Sequence, residues 1–577
     1  MGSLVKENQK QKAVTTQKVS GSEAIILSLL AEGVESVFGY PGGAIMPLYD
    51  ELYKYEDKLT HYLMRHEQGA VHAAQGFSRV SGKVGVCIAT SGPGATNIIT
   101  GIADAQVDST PLVCITGQVP SNLLGTSGFQ EIDIIGISMP VTKWNFQVTK
   151  AEEIPEALAK AFYIAASGRP GPVLIDITKD AQFSELDFKY NKCEGIRSYR
   201  PVPKLDISAI GRAATLINES KKPLILCGHG VLLSKAGKAL KTFAEKIHTP
   251  VASTLLGLSA FPPSHELNVG MLGMHGNYGP NVKTNEADLI IAVGMRFDDR
   301  VTGNLDKYAK QAKIIHIEID QSEIDKNVVA DVAVLADAKQ ALQALTALVY
   351  ENSHQEWLAE FKACDVIENE KVWKHELYPE TPAIKMAEVV RMISEKTKGE
   401  AVLVTDVGQH QMVGNRYYKF NTCNSIVTSG GLGTMGFALP SAFGAGVADT
   451  KREVIAIIGD GGFQMTIQEL GALFQYKVPV KVVILNNNFL GMVRQWQDMF
   501  FDKRYSSTEL VNPDFVTIGK GYGIESLHVE QREELDAALD HMLSHKGPYL
   551  LEIKVEREEN VFPMMTAGSS VSEIRLE

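Results

Sequence analysis

Cysteine is scarce and scattered: the chain of 577 residues holds six, Cys87, Cys114, Cys193, Cys227, Cys364 and Cys423, and no Cys-x-x-Cys pair. Several sit inside apolar runs such as Leu224 to Cys227, so they read as buried free thiols in a reducing compartment rather than as a disulfide framework. No run approaches the ~18 apolar residues that span a bilayer, which argues against a membrane protein. There is no long Lys/Arg cluster, and the formal net charge is −12, so the footprint of a nucleic-acid binder is missing. The segment Met1 to Gln17 is polar, lacks the apolar core of a signal peptide, and has Lys6 where a myristoylation motif needs Ser or Thr. These absences together point to the cytoplasm, with residues 1–19 expected as a flexible tail.

What remains is the composition of a large soluble enzyme, 45% hydrophobic and 21% charged. Strand-like apolar runs alternate with amphipathic helical patterns in three blocks, which predicts an α/β fold of three doubly wound parallel sheets. The first block is expected over 20–180, the second over 205–350 and the third over 381–558. A polar, Pro-containing linker (181–204) and a charged one (351–380, with Glu356 to Val366 helical) separate them. A tail, 559–577, follows, and its mixture of small and charged residues permits an ordered or a loose segment.

The strongest local signal is Gly459-Asp460-Gly461 after the apolar run Val454 to Ile458, answered by Asn486-Asn487 after a second run, Val480 to Leu485. A lone Gly-Asp-Gly is an ordinary strand-to-turn junction. The second strand, ending in amides 27 residues downstream (460 to 487), changes the odds. Ligands of open parallel sheets collect beyond the carboxyl ends of the strands, so Asp460 and Asn487 are expected to converge on one hard cation. Mg²⁺ suits that oxygen set and is usually completed by ligand phosphates. Gly461 and Gly462 let the backbone approach those phosphates, and a helix expected to start near Met465 offers N–H groups.

With this spacing the chain resembles the thiamine diphosphate (ThDP) enzymes and, within them, the acetohydroxyacid synthase catalytic subunits, from about Ser20 to Pro563. The resemblance implies three domains that bind the cofactor's pyrimidine, a flavin (FAD) and the diphosphate with Mg²⁺. It assigns Glu67, in Arg65-His66-Glu67-Gln68, to the aminopyrimidine ring, and burial that raises its pKa is expected. Met435, in the glycine-rich loop Gly430 to Gly436 that also holds Gly433, becomes the wedge that bends the cofactor. Gly408, Gln409 and His410 match the diphosphate loop, without a proton-transfer role for His410. Gly491 and Met492 match further cofactor contacts, and Phe489 offers the metal its backbone carbonyl.

The segment from Gly294 to Gly303 resembles the family's acceptor-site signature, and it implies that Arg296 pairs with the carboxylate of a second 2-ketoacid. Trp496 matches a Trp packed on that acceptor's alkyl group. Gly43, Gln130, Lys179, Met274 and Val407 also match active-site positions. Arg169, Gly228, Gly230, Gly273, His275, Glu318 and Asp337 fall on the FAD site, although the family often has glycine where His229 stands. The implied reaction decarboxylates pyruvate on ThDP and condenses the hydroxyethyl carbanion with pyruvate or 2-ketobutyrate, for branched-chain amino-acid synthesis. A homodimer or homotetramer follows from the resemblance, because the family builds each site from the first block of one subunit and the third block of another, and a separate regulatory small subunit is expected because the chain shows no obvious extra regulatory domain. A flavin-reducing pyruvate oxidase is the nearest alternative, opposed by Arg296 with Trp496. The absence of any His-His pair opposes a pyruvate decarboxylase.

Overall fold

The computed structural model describes residues 17–566 and 568–577. Residues 1–16 of the expected tail lie outside that range. Each of the three blocks builds one six-stranded, all-parallel sheet. Buried on both faces by helices, the central strands are continuous apolar runs such as Val454–Gly459 and Val480–Asn486, as such sheets require.

Numbered within each block, the strands of the first and third sheets follow one spatial order, 2-1-3-4-6-5. The second follows 3-2-1-4-5-6, the dinucleotide-binding order. Each order reverses beside its first strand, and a crevice opens there at the carboxyl ends. In the first sheet that point lies between Ser36–Gly39 and Gly85–Ala89, in the second between Pro223–Cys227 and Leu289–Val293, and in the third between Val402–Thr405 and Val454–Gly459.

The first and third blocks share one hydrophobic core, and its axis is the crossing of helix Glu67–Ser81 with helix Ala438–Ala448. Both are rich in Ala and Gly, so their backbones touch. A Cβ on Gly76 would lie 1.9 Å from the Ser441 carbonyl oxygen, and one on Gly444 would lie 1.8 Å from that of Ala73. Glu67–Ser81 begins at His66, whose ring accepts from the Gln68 N–H at 3.1 Å, and ends at Gly82 in the left-handed region.

Several expectations are corrected. Gln17–Ser20, three residues of which belong to the expected tail, forms a strand antiparallel to Glu185–Phe188 in the expected 181–204 linker. In the 351–380 linker the helix expected over Glu356 to Val366 is present as Gln355–Glu368, but it continues as Asn369–Trp373 and Lys374–Leu377 and docks on the central block through Trp357, whose Nε1 donates to Pro223 O at 2.8 Å. Short apolar anchors such as Trp357 are invisible to a reading based on charge. For the tail, where either outcome was open, the described residues pack: Met565, Val571 and Ile574 enter the central core, and Met565 N–H donates to Met274 O at 2.8 Å. Of the cysteines, Cys423 is exposed and Cys193 half-buried, because both lie on connecting segments. The other four are buried, and all six are free. Among the described residues no helix is long and apolar enough to cross a membrane.

Candidate functional site

Two adjoining cavities collect most of the expected residues. The smaller lies at the crevice of the third sheet, where Gly408, Gln409, His410 and Met435 face Asp460, Gly461 and Gly462, with Asn487, Phe489, Gly491 and Met492 closing the far side. Adjacent strands in register, Gly459 opposite Leu485, explain why Asp460 and Asn487 arrive together. The helix expected near Met465 begins at Asp460 itself, because the strand runs straight into it with no intervening loop. Burial pushes the Asp460 carboxyl up to about 6, and Asn512 Nδ2, 2.6 Å from Oδ2, pulls it back. His410 is buried and pushed down to about 3 by burial, so it is a neutral ring, and its Nε2 has no partner among the described residues.

The larger cavity, about 670 Å³, lies between the central and third blocks with part of the first. Gly230, Gly273, Met274, His275, Arg296, Glu318 and Asp337 line it from the central block, Arg169 from the first, and Val407, Gly433, Met492 and Trp496 from the third. Val407 and Met492 border both cavities. Gly228 is not on the wall: it packs beneath it, where a Cβ would meet Gly294 O at 2.3 Å. Arg169 is engaged already, 2.9 Å from Glu323 and 3.2 Å from Asp320. Burial pushes Glu318 up to about 7, against N–H groups of Asp320 and Ile319. His229, the departure from the expected glycine, places Nδ1 3.1 Å from Asp108 O and so ties the central block to the first.

The charged run around Arg296 is not a salt-bridge knot. Asp298 caps helix Asp299–Thr302 through the Val301 N–H, and Arg300 pairs with Asp299 at the surface. Arg296 has no carboxylate oxygen within 4.0 Å among the described residues. The guanidinium is half-buried on the cavity wall, with Asp298 and Asp108 near it but beyond direct ion-pair distance. Trp496 is half-buried on the same wall, packed on the central core and against Phe500 at 5.1 Å between rings.

Glu67, Gly43, Gln130 and Lys179 line neither cavity. They gather instead at the crevice of the first sheet. Glu67 Oε2 accepts from Asn97 Nδ2 at 3.0 Å, and Ala44, next to Gly43, donates to Thr90 Oγ1 at 3.3 Å. Gln130 backs onto Gly92 and holds a left-handed backbone, φ 59°, uncommon for a side chain of its size. Lys179 starts the helix after Pro172–Thr178. Glu67 is half-buried rather than enclosed as expected. Beside it Phe129 is 89% exposed.

Three sets of buried carboxylates escaped the sequence reading. Asp406 accepts from the N–H groups of Val407 (2.9 Å), Gly436 (3.0 Å) and Ala438 (2.9 Å), fixing the Met435 loop. Asp108, from the first block, accepts from Gly430 and Gly431 N–H at 2.8 Å each and from Arg79 at 2.8 Å, while Asp104 accepts from Ser429 and Thr434 hydroxyls. Burial and the neighbouring Asp108 push Asp104 up to about 6. Glu469 is the third. Each works on a partner distant in sequence, so no local motif marks it.

Comparison with known proteins matches three families along the chain: the thiamine pyrophosphate enzyme N-terminal TPP binding domain over residues 19–137, the central domain over 210–345, and the C-terminal TPP binding domain over 406–553. The acetolactate synthase large subunit of Corynebacterium glutamicum is 45% identical, covering 98% of this chain and 91% of its own. The acetolactate synthase isozyme 2 large subunit of Escherichia coli is 43% identical over 96% of this chain and 99% of its own. The acetolactate synthase of Arthrospira platensis is 44% identical over 98% and 99%.

Proposed function

The chain belongs to the thiamine pyrophosphate enzymes and, within them, to the acetolactate synthase large subunits, and from that premise we propose how its residues divide the work. The activity is that of an acetohydroxyacid synthase: pyruvate loses CO₂, and the remaining two-carbon unit joins a second pyruvate to give 2-acetolactate, or 2-ketobutyrate to give 2-aceto-2-hydroxybutyrate. ThDP, when bound, supplies an acidic carbon and an electron sink, and the protein supplies orientation and a dry site.

We assign the diphosphate to the smaller cavity. The unpartnered His410 Nε2 and the glycine-lined floor fit phosphate oxygens, and Asp460, Asn487 and the Phe489 carbonyl form an oxygen set that suits Mg²⁺. FAD fits the larger cavity. The central sheet has the dinucleotide-binding order, Gly230 and Gly294 approach each other at its switch point, and buried His275 Nδ1 has no partner among the described residues. Arg296 holds the acceptor's carboxylate and Trp496 its alkyl end. Glu67 handles the cofactor's aminopyrimidine, Met435 props the cofactor, and Gln130, Lys179 and Gly43 shape the pyruvate side.

The chain carries two half-sites that do not meet, and the exposed Phe129 beside one of them supports completion by a second copy, in a homodimer or homotetramer. A small regulatory partner is proposed because the relatives are named large subunits. A cytoplasmic location accords with six free cysteines.

The observation that carries this reading is that Arg296, with no carboxylate within 4.0 Å among the described residues, and Trp496 line one cavity, which adjoins the cavity of Asp460 and Asn487. The purified chain, given pyruvate with and without 2-ketobutyrate plus ThDP, Mg²⁺ and FAD, should release both acetohydroxyacids while flavin absorbance stays oxidised. Acetate or acetyl phosphate with flavin bleaching would overturn it in favour of an oxidase.

A further inference from the structure

The segment that carries Glu67 is gripped from outside its own block. Leu63 N–H donates to Tyr476 Oη at 2.8 Å. Arg65 N–H donates to both Glu469 carboxylate oxygens, at 3.2 and 3.1 Å. The Arg65 side chain returns the contact, reaching Gly471 O at 3.1 Å and Gln475 Oε1 at 2.7 Å. All four third-block partners lie within residues 469–476, just beyond the helix that begins at Asp460. Glu469 is fully buried, and its Oε1 fills the space over Gly69, where a Cβ would come within 2.3 Å.

We propose that Glu469 is a positioning residue for Glu67: the third block of the same chain clamps the start of helix Glu67–Ser81 and thereby sets where the Glu67 carboxylate stands. The proposal rests on the reading of Glu67 as the cofactor's aminopyrimidine partner.

The physical case is one of replacement. The first N–H groups of any helix lack intrahelical acceptors. His66 caps one of them, and the Glu469 carboxyl oxygens accept from the Arg65 N–H immediately before the cap. Burial pushes the Glu469 carboxyl up to about 7, with the Arg65 and His66 N–H groups holding it down, so a costly group is kept where it reaches only this turn. Glu67 itself touches only Asn97 by side-chain hydrogen bond among the described residues, and its aim therefore depends on the backbone beneath it. Bonds 2 residues away convert directly into displacement of its carboxylate, whereas the Asp460 cavity shares no residue with the clamp.

The test uses the full chain with Glu469→Gln, Glu469→Ala and Tyr476→Phe. In the cofactor-free protein, amide hydrogen exchange of the peptide covering residues 63–70 should speed up about tenfold in Glu469→Ala and less in Glu469→Gln, which keeps one acceptor. With ThDP and Mg²⁺ bound, exchange of the cofactor's C2 proton should slow by about tenfold in Glu469→Ala, partly recover in Glu469→Gln, and slow about twofold in Tyr476→Phe. The affinity for ThDP should stay within about twofold of the parent throughout. Unchanged C2 exchange in Glu469→Ala and Tyr476→Phe, or equal losses of affinity and exchange, would overturn the proposal. Glu67→Gln is run beside them: unchanged C2 exchange there would refute the reading of Glu67 first, and that outcome is distinguishable from a failure at Glu469 alone.

Discussion

Replacing Arg296 separates the two halves of the reaction. The guanidinium stands on the wall of the larger cavity with no carboxylate within 4.0 Å among the described residues, and a Cβ on Gly431 would lie 3.3 Å from its Nη2, so the loop before Met435 limits its sweep. An incoming 2-ketoacid carboxylate can take both arms of the fork. A charge-assisted hydrogen bond contributes about 1.5–3 kcal/mol, and losing the charged pair in Arg296→Gln should weaken capture of the acceptor by roughly 10- to 150-fold. Arg296→Lys keeps the charge and loses the fork, which should leave it at the low end of that range. The assay is carboligation measured against acceptor concentration, with C2 proton exchange of ThDP followed in parallel. Acceptor kcat/KM should fall while C2 exchange stays within about twofold. An unchanged acceptor dependence, or equal losses in both readouts, would refute the assignment, because the first half of the reaction does not need this cation.

Trp496→Leu should shift the product ratio away from 2-aceto-2-hydroxybutyrate by about 10-fold or more, since one methylene against an apolar wall is worth about 1–3 kcal/mol; an unaltered ratio would remove Trp496 from the acceptor pocket. Glu469 gives a pH prediction. Its folded carboxyl is raised from 4.5 to about 7, so between those values the folded chain binds the extra proton, and stability falls as pH rises through that window. At pH ~8 the ionised group costs about 3 kcal/mol, and in Glu469→Gln the drop in thermal midpoint between pH ~6 and pH ~8 should narrow. An identical drop in both proteins would contradict it. Gly444→Ala drives a Cβ to 1.8 Å from Ala73 O, and it should lower the unfolding midpoint by an amount that reflects about 1–3 kcal/mol of overpacking, with C2 exchange slowed because the displaced helix carries Glu67. A parent-like midpoint would show that the helices part freely.

What was legible in the sequence had local signatures. Val454–Gly459 and Val480–Asn486 announce themselves as buried strands, and their endings place Asp460 and Asn487 together because parallel neighbours in register end at one edge. The three-block architecture follows from the same alternation. Asp104, Asp108, Asp406 and Glu469 carry no such mark. Their neighbours in the chain are ordinary helical or strand-end residues, and their meaning comes from backbone N–H groups or, for Asp104, hydroxyls, some hundreds of residues away. Glu67 was found by its motif, but its half-buried state was not, because the motif says nothing of what packs around it. The strand Gln17–Ser20 was missed because a polar four-residue edge strand has too little pattern to read.

The clamp on Glu67 also has a timetable. Leu63 and Tyr476 are 413 residues apart. A ribosome moving at about 5–20 residues per second needs roughly 20–80 s to get from one to the other. Until then the Ala/Gly face of helix Glu67–Ser81 has no Ala438–Ala448 to meet, and a small-residue apolar stripe waits uncovered on a nascent chain. A newly made polypeptide is therefore most exposed to chaperones, proteases and wrong partners at the surface that will later fix where Glu67 stands.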